Sequence, residues 1–473
     1  MNNHLIHLFT ASLLAIAILA LPTHADQAEI PEELKERVET EGWSQQWHDE
    51  LYSHEDPAVG ATLRKMLRAK RDAAALQSDL VVHEWGAMQH HVGTATSEFD
   101  LIGEDQSDLP AFVEVWAKQR PAQGPQIMLK PIIYFYTQTQ QTVDVSVRYP
   151  EGVLTQWYPQ VSFFTPQRNN RVRPGNVPDD LPRDGSLSWS KLKLDPQTKP
   201  TAFANVAPDH PWWHTARETD ATPVTVTKPL RSAARGQSST ERFLFYRGAG
   251  AYKPMVMPKR EKPGVDLSVT VPFSQIDLRG VFLVRVNDSG AIITHAPLLR
   301  AQGTLELAGA EQIMPTVQAA KSAKAMFIES LEAAGLFPKE AAGLVKIWGD
   351  EMFTTPGERL IYLMPNNEVE RVMPLTIRPE PTHTVRTLIG WVELATPEGE
   401  KRVEDLIDKL GSENPSERSD ADQQLRRLDR FAEAILRRTL ETTEDTARRN
   451  QIEQILADLA QQRRQGSPPR NRP

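Results

Sequence analysis

Residues 130–159 read KPIIYFYTQTQQTVDVSVRYPEGVLTQWYP, and this stretch decides the fold class. It begins with a β-branched and aromatic run at 132–136 and continues with alternating valines in 142–148. Pro150-Glu151-Gly152 then precedes a third run at 153–158. β-Branched and aromatic residues favour strands, and a Pro-Gly pair favours a turn. The stretch therefore predicts three successive β-strands closed by turns.

Short runs of the same composition recur on both sides of this stretch, at 79–85, 186–194, 242–247, 267–271, 281–286, 291–294, 359–364 and 388–394. Asn287-Asp288-Ser289-Gly290 joins two of them and is typical of a hairpin turn. Gly86 ends the first run or allows a β-bulge there. Many short strands separated by turns predict an α+β protein with a mainly antiparallel β-sandwich body.

Helical periodicity marks the segments around this body. It predicts helices at 31–41 and 57–77, a helical insertion at about 316–353, and helices from 398 onward. The C-terminal segment has one apolar stripe per helix and resembles a single HEAT-like helical repeat. We divide the chain into a signal peptide, an N-terminal helical segment, the β body, a C-terminal helical unit and a disordered tail, at 1–25, 26–78, 79–396, 397–464 and 465–473.

The first residues indicate export. Leu8–Leu21 is an uncharged apolar run too short to span a bilayer comfortably, and Thr23-His24-Ala25 supplies the small residues that a signal peptidase requires. Cleavage after Ala25 would place the protein in the periplasm or outside the cell. The run lacks a preceding Lys or Arg, so the alternative is an uncleaved membrane anchor.

Composition narrows the classes of partner and site. The chain has 473 residues and a formal charge of −8, which gives no overall attraction for nucleic acid. It has no cysteine, so disulfides and thiolate metal ligands are excluded. Motifs for a nucleophile elbow, a helix-borne metalloprotease or a phosphate-binding loop are also missing from the sequence.

The β segments resemble a group of uncharacterised exported bacterial proteins that share a KPxIYxY strand and a later LFYxG strand. The matching residues are KPIIYFY at 130–136, VDVSV at 143–147 and FLFYRG at 243–248, together with HEWG at 83–86, TQWYP at 155–159 and RLIYL at 359–363. The resemblance covers about residues 80–395. It implies a shared fold and brings no activity with it.

His83, Glu84, His90 and His91 are the candidate metal ligands. Imidazole nitrogens and a carboxylate suit zinc or another divalent metal ion. On a strand His83 and Glu84 would point to opposite faces, and further ligands would have to come from distant residues. The alternative is that His83 packs in the core while His90 and His91 lie on the surface.

An acidic loop at 97–110 offers a second candidate, because clustered carboxylates around Gly103 would suit a calcium ion. Their order does not match an EF-hand loop. The alternative is a solvated acidic loop.

Trp157, Tyr158, Trp212 and Trp213 are the candidate ligand-binding residues, since aromatic faces stack on sugars and peptides. Trp212 and Trp213 follow a proline-rich passage, and we expect them to be exposed. Core packing is the alternative explanation for all four.

Two functions are consistent with these patterns. The first is an exported, non-catalytic protein that binds a protein or carbohydrate ligand. The second is a metal-dependent hydrolase that uses the His/Glu cluster at 83–91. Membrane association is expected only if the N-terminal segment remains uncleaved.

Overall fold

The structure is a computed structural model that describes residues 30–92, 102–103, 109–115, 123–124, 126–165, 184–226, 239–250, 252–260, 267–394, 397–428 and 430–464. The predicted signal peptide, the predicted disordered tail and most of the acidic loop lie outside these ranges. No helix within them is long and apolar enough to cross a lipid bilayer.

The described ranges contain eleven α-helices: α1 (Glu32–Glu41), α2 (Gln45–Glu50), α3 (Pro57–Leu76), α4 (Pro211–Ala216), α5 (Thr316–Ala333), α6 (Pro338–Thr354), α7 (Asn366–Val372), α8 (Pro397–Lys409), α9 (Pro415–Leu428), α10 (Arg430–Thr442) and α11 (Thr446–Arg464). The predicted N-terminal and inserted helices are found as α1, α3, α5 and α6. The sequence did not reveal α2, α4 and α7, because six or seven residues carry too little periodicity.

The same ranges contain twenty β-strands: β1 (Val81–Val92), β2 (Ile102–Gly103), β3 (Glu114–Val115), β4 (Gln123–Gly124), β5 (Gln126–Tyr136), β6 (Gln141–Tyr149), β7 (Gly152–Tyr158), β8 (Phe163–Thr165), β9 (Gly185–Leu194), β10 (Val224–Val226), β11 (Ser239–Glu241), β12 (Leu244–Gly250), β13 (Lys259–Arg260), β14 (Leu267–Thr270), β15 (Leu278–Asn287), β16 (Gly290–Leu299), β17 (Thr304–Glu306), β18 (Gly357–Leu363), β19 (Leu375–Arg378) and β20 (His383–Leu394).

These strands form two large sheets and two small ones. The nine-stranded sheet has the order β16-β15-β18-β20-β1-β5-β12-β7-β3, and the six-stranded sheet has the order β11-β10-β9-β6-β19 with β8 beside β9. Among the described strands every pair is antiparallel except β1 with β20. Mixed α and β structure with antiparallel sheets is therefore confirmed.

The three strands predicted from residues 130–159 are confirmed as β5, β6 and β7, but they do not pair with one another. β5 and β7 belong to the nine-stranded sheet, whereas β6 belongs to the six-stranded sheet. The three valines of β6 are buried in the same hydrophobic cluster as Ile133 and Phe135 of β5. Each turn in this stretch thus carries the chain from one sheet to the other.

β1 is the central strand of the nine-stranded sheet, and its two faces are covered differently. Val82 and Met88 lie in the cluster shared with the six-stranded sheet, whereas Val81 and Trp85 lie in the cluster shared with α4, α5 and α6. Gly86 forms the expected bulge, and the strand continues beyond it. A Cβ atom at Gly86 would lie 2.9 Å from Pro131 Cα, so a side chain does not fit there.

The helices at the two ends of the chain have hydrophobic clusters of their own. One cluster contains only residues from 30–67, and another contains only residues from 403–459. The body between them carries the sequence-predicted site residues.

Candidate functional site

His83 and Glu84 point to opposite faces of β1, as their adjacency on a strand requires. His83 is buried on the helical face, where its Nδ1 lies 2.7 Å from Glu340 Oε2. The same carboxylate oxygen accepts the backbone N–H of Phe337 at 2.7 Å and so closes the first turn of α6. One carboxylate therefore both orients the imidazole and holds the start of a helix.

Aromatic rings surround the His83–Glu340 pair. The imidazole centroid lies 4.4 Å from that of Phe337 and 5.4 Å from that of Tyr136. Burial, and then the Glu340 charge, raises the pKa of Tyr136 well above its usual value. The pKa of Asp72, at the end of α3, is raised mainly by burial, and His83 and Glu340 are close enough to influence it. The pair is a buried polar site surrounded by apolar side chains.

Glu84 lies in a second polar network on the face toward the six-stranded sheet. Arg386 donates from Nε to Glu84 Oε2 at 2.6 Å and from Nη1 to Glu370 Oε1 at 2.8 Å. Tyr246 donates its hydroxyl to Glu84 Oε1. Burial, followed by the neighbouring Glu84 carboxylate, raises the pKa of Tyr246 well above its usual value. Both Glu84 carboxylate oxygens thus have internal donors.

His90 is buried, so the alternative that placed it on the surface is wrong. Its Nε2 lies 2.9 Å from the Tyr252 carbonyl oxygen and donates to it, because a carbonyl only accepts. Burial lowers the pKa of His90 to about 4. His91 pairs through its backbone with Glu393 of β20, and its side chain lies outside the described set.

The structure does not bring together His83, Glu84 and His90, the three candidate metal ligands whose side chains it describes. His83 and Glu84 occupy separate networks, and His90 bonds to a backbone carbonyl. Among the described residues, no group of three or more His, Cys, Asp or Glu could hold a metal ion. The sequence-predicted metal site stays a prediction.

The aromatic candidates are buried, so the expected exposure of Trp212 and Trp213 is wrong. Trp157 packs in the cluster that contains residues of both large sheets, with its ring centroid 5.0 Å from that of Phe164. Tyr158, Trp212 and Trp213 pack in the cluster on the helical face. In this conformation the four rings contact the core, and their role in ligand binding stays a prediction.

A buried carboxylate explains why α4 holds Trp213 inside the protein. Trp213 donates its indole N–H to Glu241 Oε2 at 3.0 Å, and Arg217, one turn later, donates to both oxygens of the same carboxylate. Burial of the indole therefore leaves its N–H with a hydrogen-bond partner.

Sequence reasoning missed Glu340, Arg386 and Tyr246. Glu340 lies 257 residues from its partner His83, and Arg386 lies 302 residues from Glu84. No local motif links such residues. The only available signal was the presence of charged residues inside otherwise apolar runs, as at Glu84 and Arg386.

Comparison with known proteins gives a structural match of low similarity. No protein-family model matches the sequence, and no curated protein matches it. Among solved structures, the chain is similar to the Fcho1 Mu homology domain of Danio rerio with bound Eps15 peptide, with 7% identity and a TM-score of 0.23. The match covers 68% of this chain and 100% of that chain. A likeness at this level carries no argument about function.

Proposed function

We propose that the chain is an exported, non-catalytic protein whose β body binds a protein or carbohydrate ligand and whose C-terminal helices provide a docking face. We further propose that the nine-stranded and six-stranded sheets form a β-sandwich. Supporting this, Phe135 and Tyr246 of the larger sheet share one hydrophobic cluster with Val145 and Trp189 of the smaller sheet. Export would leave a mature chain in the periplasm or outside the cell, beginning at Asp26.

The binding proposal rests on the hydrogen bonds of the polar residues that were the best candidates for catalysis or metal binding. Glu84 is bonded to Arg386 and Tyr246, His90 to a backbone carbonyl, and His83 to Glu340. Buried polar groups with such partners stabilise and specify a core. In this conformation, each of these groups has a structural explanation.

The rival function is a metal-dependent hydrolase, and metal analysis separates it from binding. We expect the purified mature protein to contain less than a stoichiometric amount of zinc or any other transition metal. We also expect its melting temperature to be unchanged by a chelator, because the internal partners already satisfy Glu84 and His90. The measurements are elemental analysis and thermal unfolding with and without chelator.

The His83→Ala variant is the matched control. Stoichiometric metal in the natural protein that is lost in this variant would overturn the binding proposal in favour of the hydrolase. Lys346→Ala, which removes an exposed ion pair with Glu218 on the same helical layer, shows whether any change is specific to His83.

Truncation after Thr396 tests the role of the C-terminal helices. The cluster formed by Leu406, Leu425, Ile435 and Ile455 contains no residue of the body, so its removal should leave the apolar core of the body complete. We expect the truncated protein to unfold cooperatively and to lose part of its partner binding. Thermal unfolding and binding measurements on both proteins check this.

Leu425→Asp is the companion to the truncation, since Leu425 is fully buried in the helical cluster. It should disrupt the helices while leaving the body intact. Loss of cooperative unfolding of the body after truncation would show that the boundary near residue 397 is wrong.

A further inference from the structure

The N-terminal helices bury their apolar side chains among themselves. Their cluster consists of Ile30, Val38, Trp47, Leu51, Val59, Leu63 and Leu67. Asp56 caps α3 by accepting the backbone N–H of Ala58 at 2.9 Å, and Pro57 occupies the first turn. We call residues 30–76 the N-terminal helical unit. Its local structure and its core are built from its own residues.

Ion pairs join this unit to the body. Arg279 of β15 donates two hydrogen bonds to the Asp49 carboxylate. Arg64 Nη2 lies 3.0 Å from Glu329 Oε1 on α5, and Arg68 Nε lies 3.5 Å from Glu332 Oε2. Asp49, Arg64 and Arg68 are buried while their partners are partly exposed, so removing a partner leaves a poorly solvated charge on the unit. The junction therefore depends on these ion pairs.

The C-terminal end of the unit lies beside the His83–Glu340 pair. Arg71 donates from Nη2 to the Glu332 carbonyl oxygen at 2.8 Å, at the end of α5 and just before the turn that leads to Phe337. Ala75 packs against the cluster that contains Tyr136 and Phe337, the two rings around His83. Asp72, in the same part of α3, interacts electrostatically with His83 and Glu340, so the last turns of α3 lie beside this site.

We propose that the N-terminal helical unit is a detachable cover over the His83–Glu340 pair, held in place by the ion pairs to Arg279, Glu329 and Glu332. When the unit is detached, His83 faces solvent with its Nδ1 still held by Glu340. The uncovered site would suit a small ligand with one hydrogen-bonding group for the imidazole and an apolar part for Tyr136 and Phe337. This inference goes beyond the proposed partner binding and does not depend on it.

Site-resolved modification of histidines by diethyl pyrocarbonate tests the proposal in the full mature chain. Each histidine is followed by mass spectrometry, and the reading is simple because the chain has no cysteine to compete for the reagent. The test variant is Arg279→Gln with Glu329→Gln, which weakens the junction from the body side and leaves the cluster of the unit unchanged. We expect His83 to be modified at least about tenfold faster in this variant than in the natural protein.

Other histidines distinguish detachment from unfolding. His214 and His383 are exposed and should react in every sample, whereas His90 is buried inside the body and should stay protected. Lys346→Gln, which removes an exposed ion pair elsewhere on α6, should leave the His83 rate unchanged. Equal acceleration at His90 and His83 would mean global unfolding and would overturn the proposal.

A second measurement needs no substitution. In the natural protein, the His83 rate should rise between low salt and about 1 M salt, but by less than in the double variant, because salt screens partly buried ion pairs only weakly. Hydrogen exchange in α3 and in residues 388–394 should stay unchanged, because the unit and the body both remain folded when they separate. A His83 rate that responds neither to salt nor to the double variant would show that the unit does not detach.

Discussion

Replacing Arg386 with methionine is expected to lower the free energy of unfolding by about 3–5 kcal/mol, because the change leaves the buried Glu84 carboxylate without its cation. Arg386 and Glu84 are both almost fully buried, and the guanidinium also bonds to Glu370. Among the described residues, Tyr246 remains as the donor to the carboxylate. Urea unfolding of the variant and the natural protein measures the difference.

Two comparisons define what the Arg386 result means. The double variant Glu84→Leu with Arg386→Met should be more stable than the single variant, because no unpaired buried charge is left and Glu370 is exposed. Arg371→Met removes a half-exposed cation from Glu368 and Glu151 and should cost at most about 1 kcal/mol. An Arg386 variant no less stable than the Arg371 variant would contradict the assigned network.

Replacing Trp213 with alanine is expected to destabilise the protein by about 3–5 kcal/mol, the usual range for deleting a buried tryptophan. Its ring is fully buried and contacts Tyr158, Phe243 and Phe245. Glu241 keeps its bonds to Arg217, so most of the loss comes from the cavity. Thermal unfolding without any ligand measures the effect.

Trp213→Phe is the conservative companion and should lose less stability, because it retains much of the buried volume. Val317→Ala, at an exposed position, should change the free energy of unfolding by no more than about 0.5 kcal/mol. Full stability of Trp213→Ala would favour the original interpretation of this residue as part of a surface that binds ligand.

Local composition was enough to predict most secondary structure but not the arrangement of strands. The runs at 130–136 and 142–148 contain the residues that favour strands, and both form strands. Their sheets depend on partners elsewhere, since β5 pairs with β1 and β12 while β6 pairs with β9 and β19. A short window of sequence does not show which distant strand will be the partner.

For the site residues, too, local geometry could be predicted from the sequence whereas long-range contacts could not. The opposite orientation of His83 and Glu84 followed from strand geometry alone. The burial of Trp212 and Trp213 did not follow, because a proline-rich context suggested a loop while the distant Glu241 provided the internal partner for the indole. The pairing of His83 with Glu340 could not be predicted either, because only the tertiary fold brings α6 to β1.

The parallel pairing of β1 with β20 bears on the order in which the chain folds. β1 precedes its partner β20 by about 300 residues. β5 and β7 both pair with β12, which also comes much later in the chain. By contrast, β15 and β16 pair across a tight turn. Long-range pairing slows folding, because distant segments must meet before any contact is gained. When the chain is synthesised from its N-terminus, the β1 edge that pairs with β20 stays unpaired until nearly the whole body has been made. β1 and β5 are then the first partners available to that sheet, the β15–β16 hairpin is the most local pairing among its described strands, and β20 completes the sheet when it enters between β18 and β1.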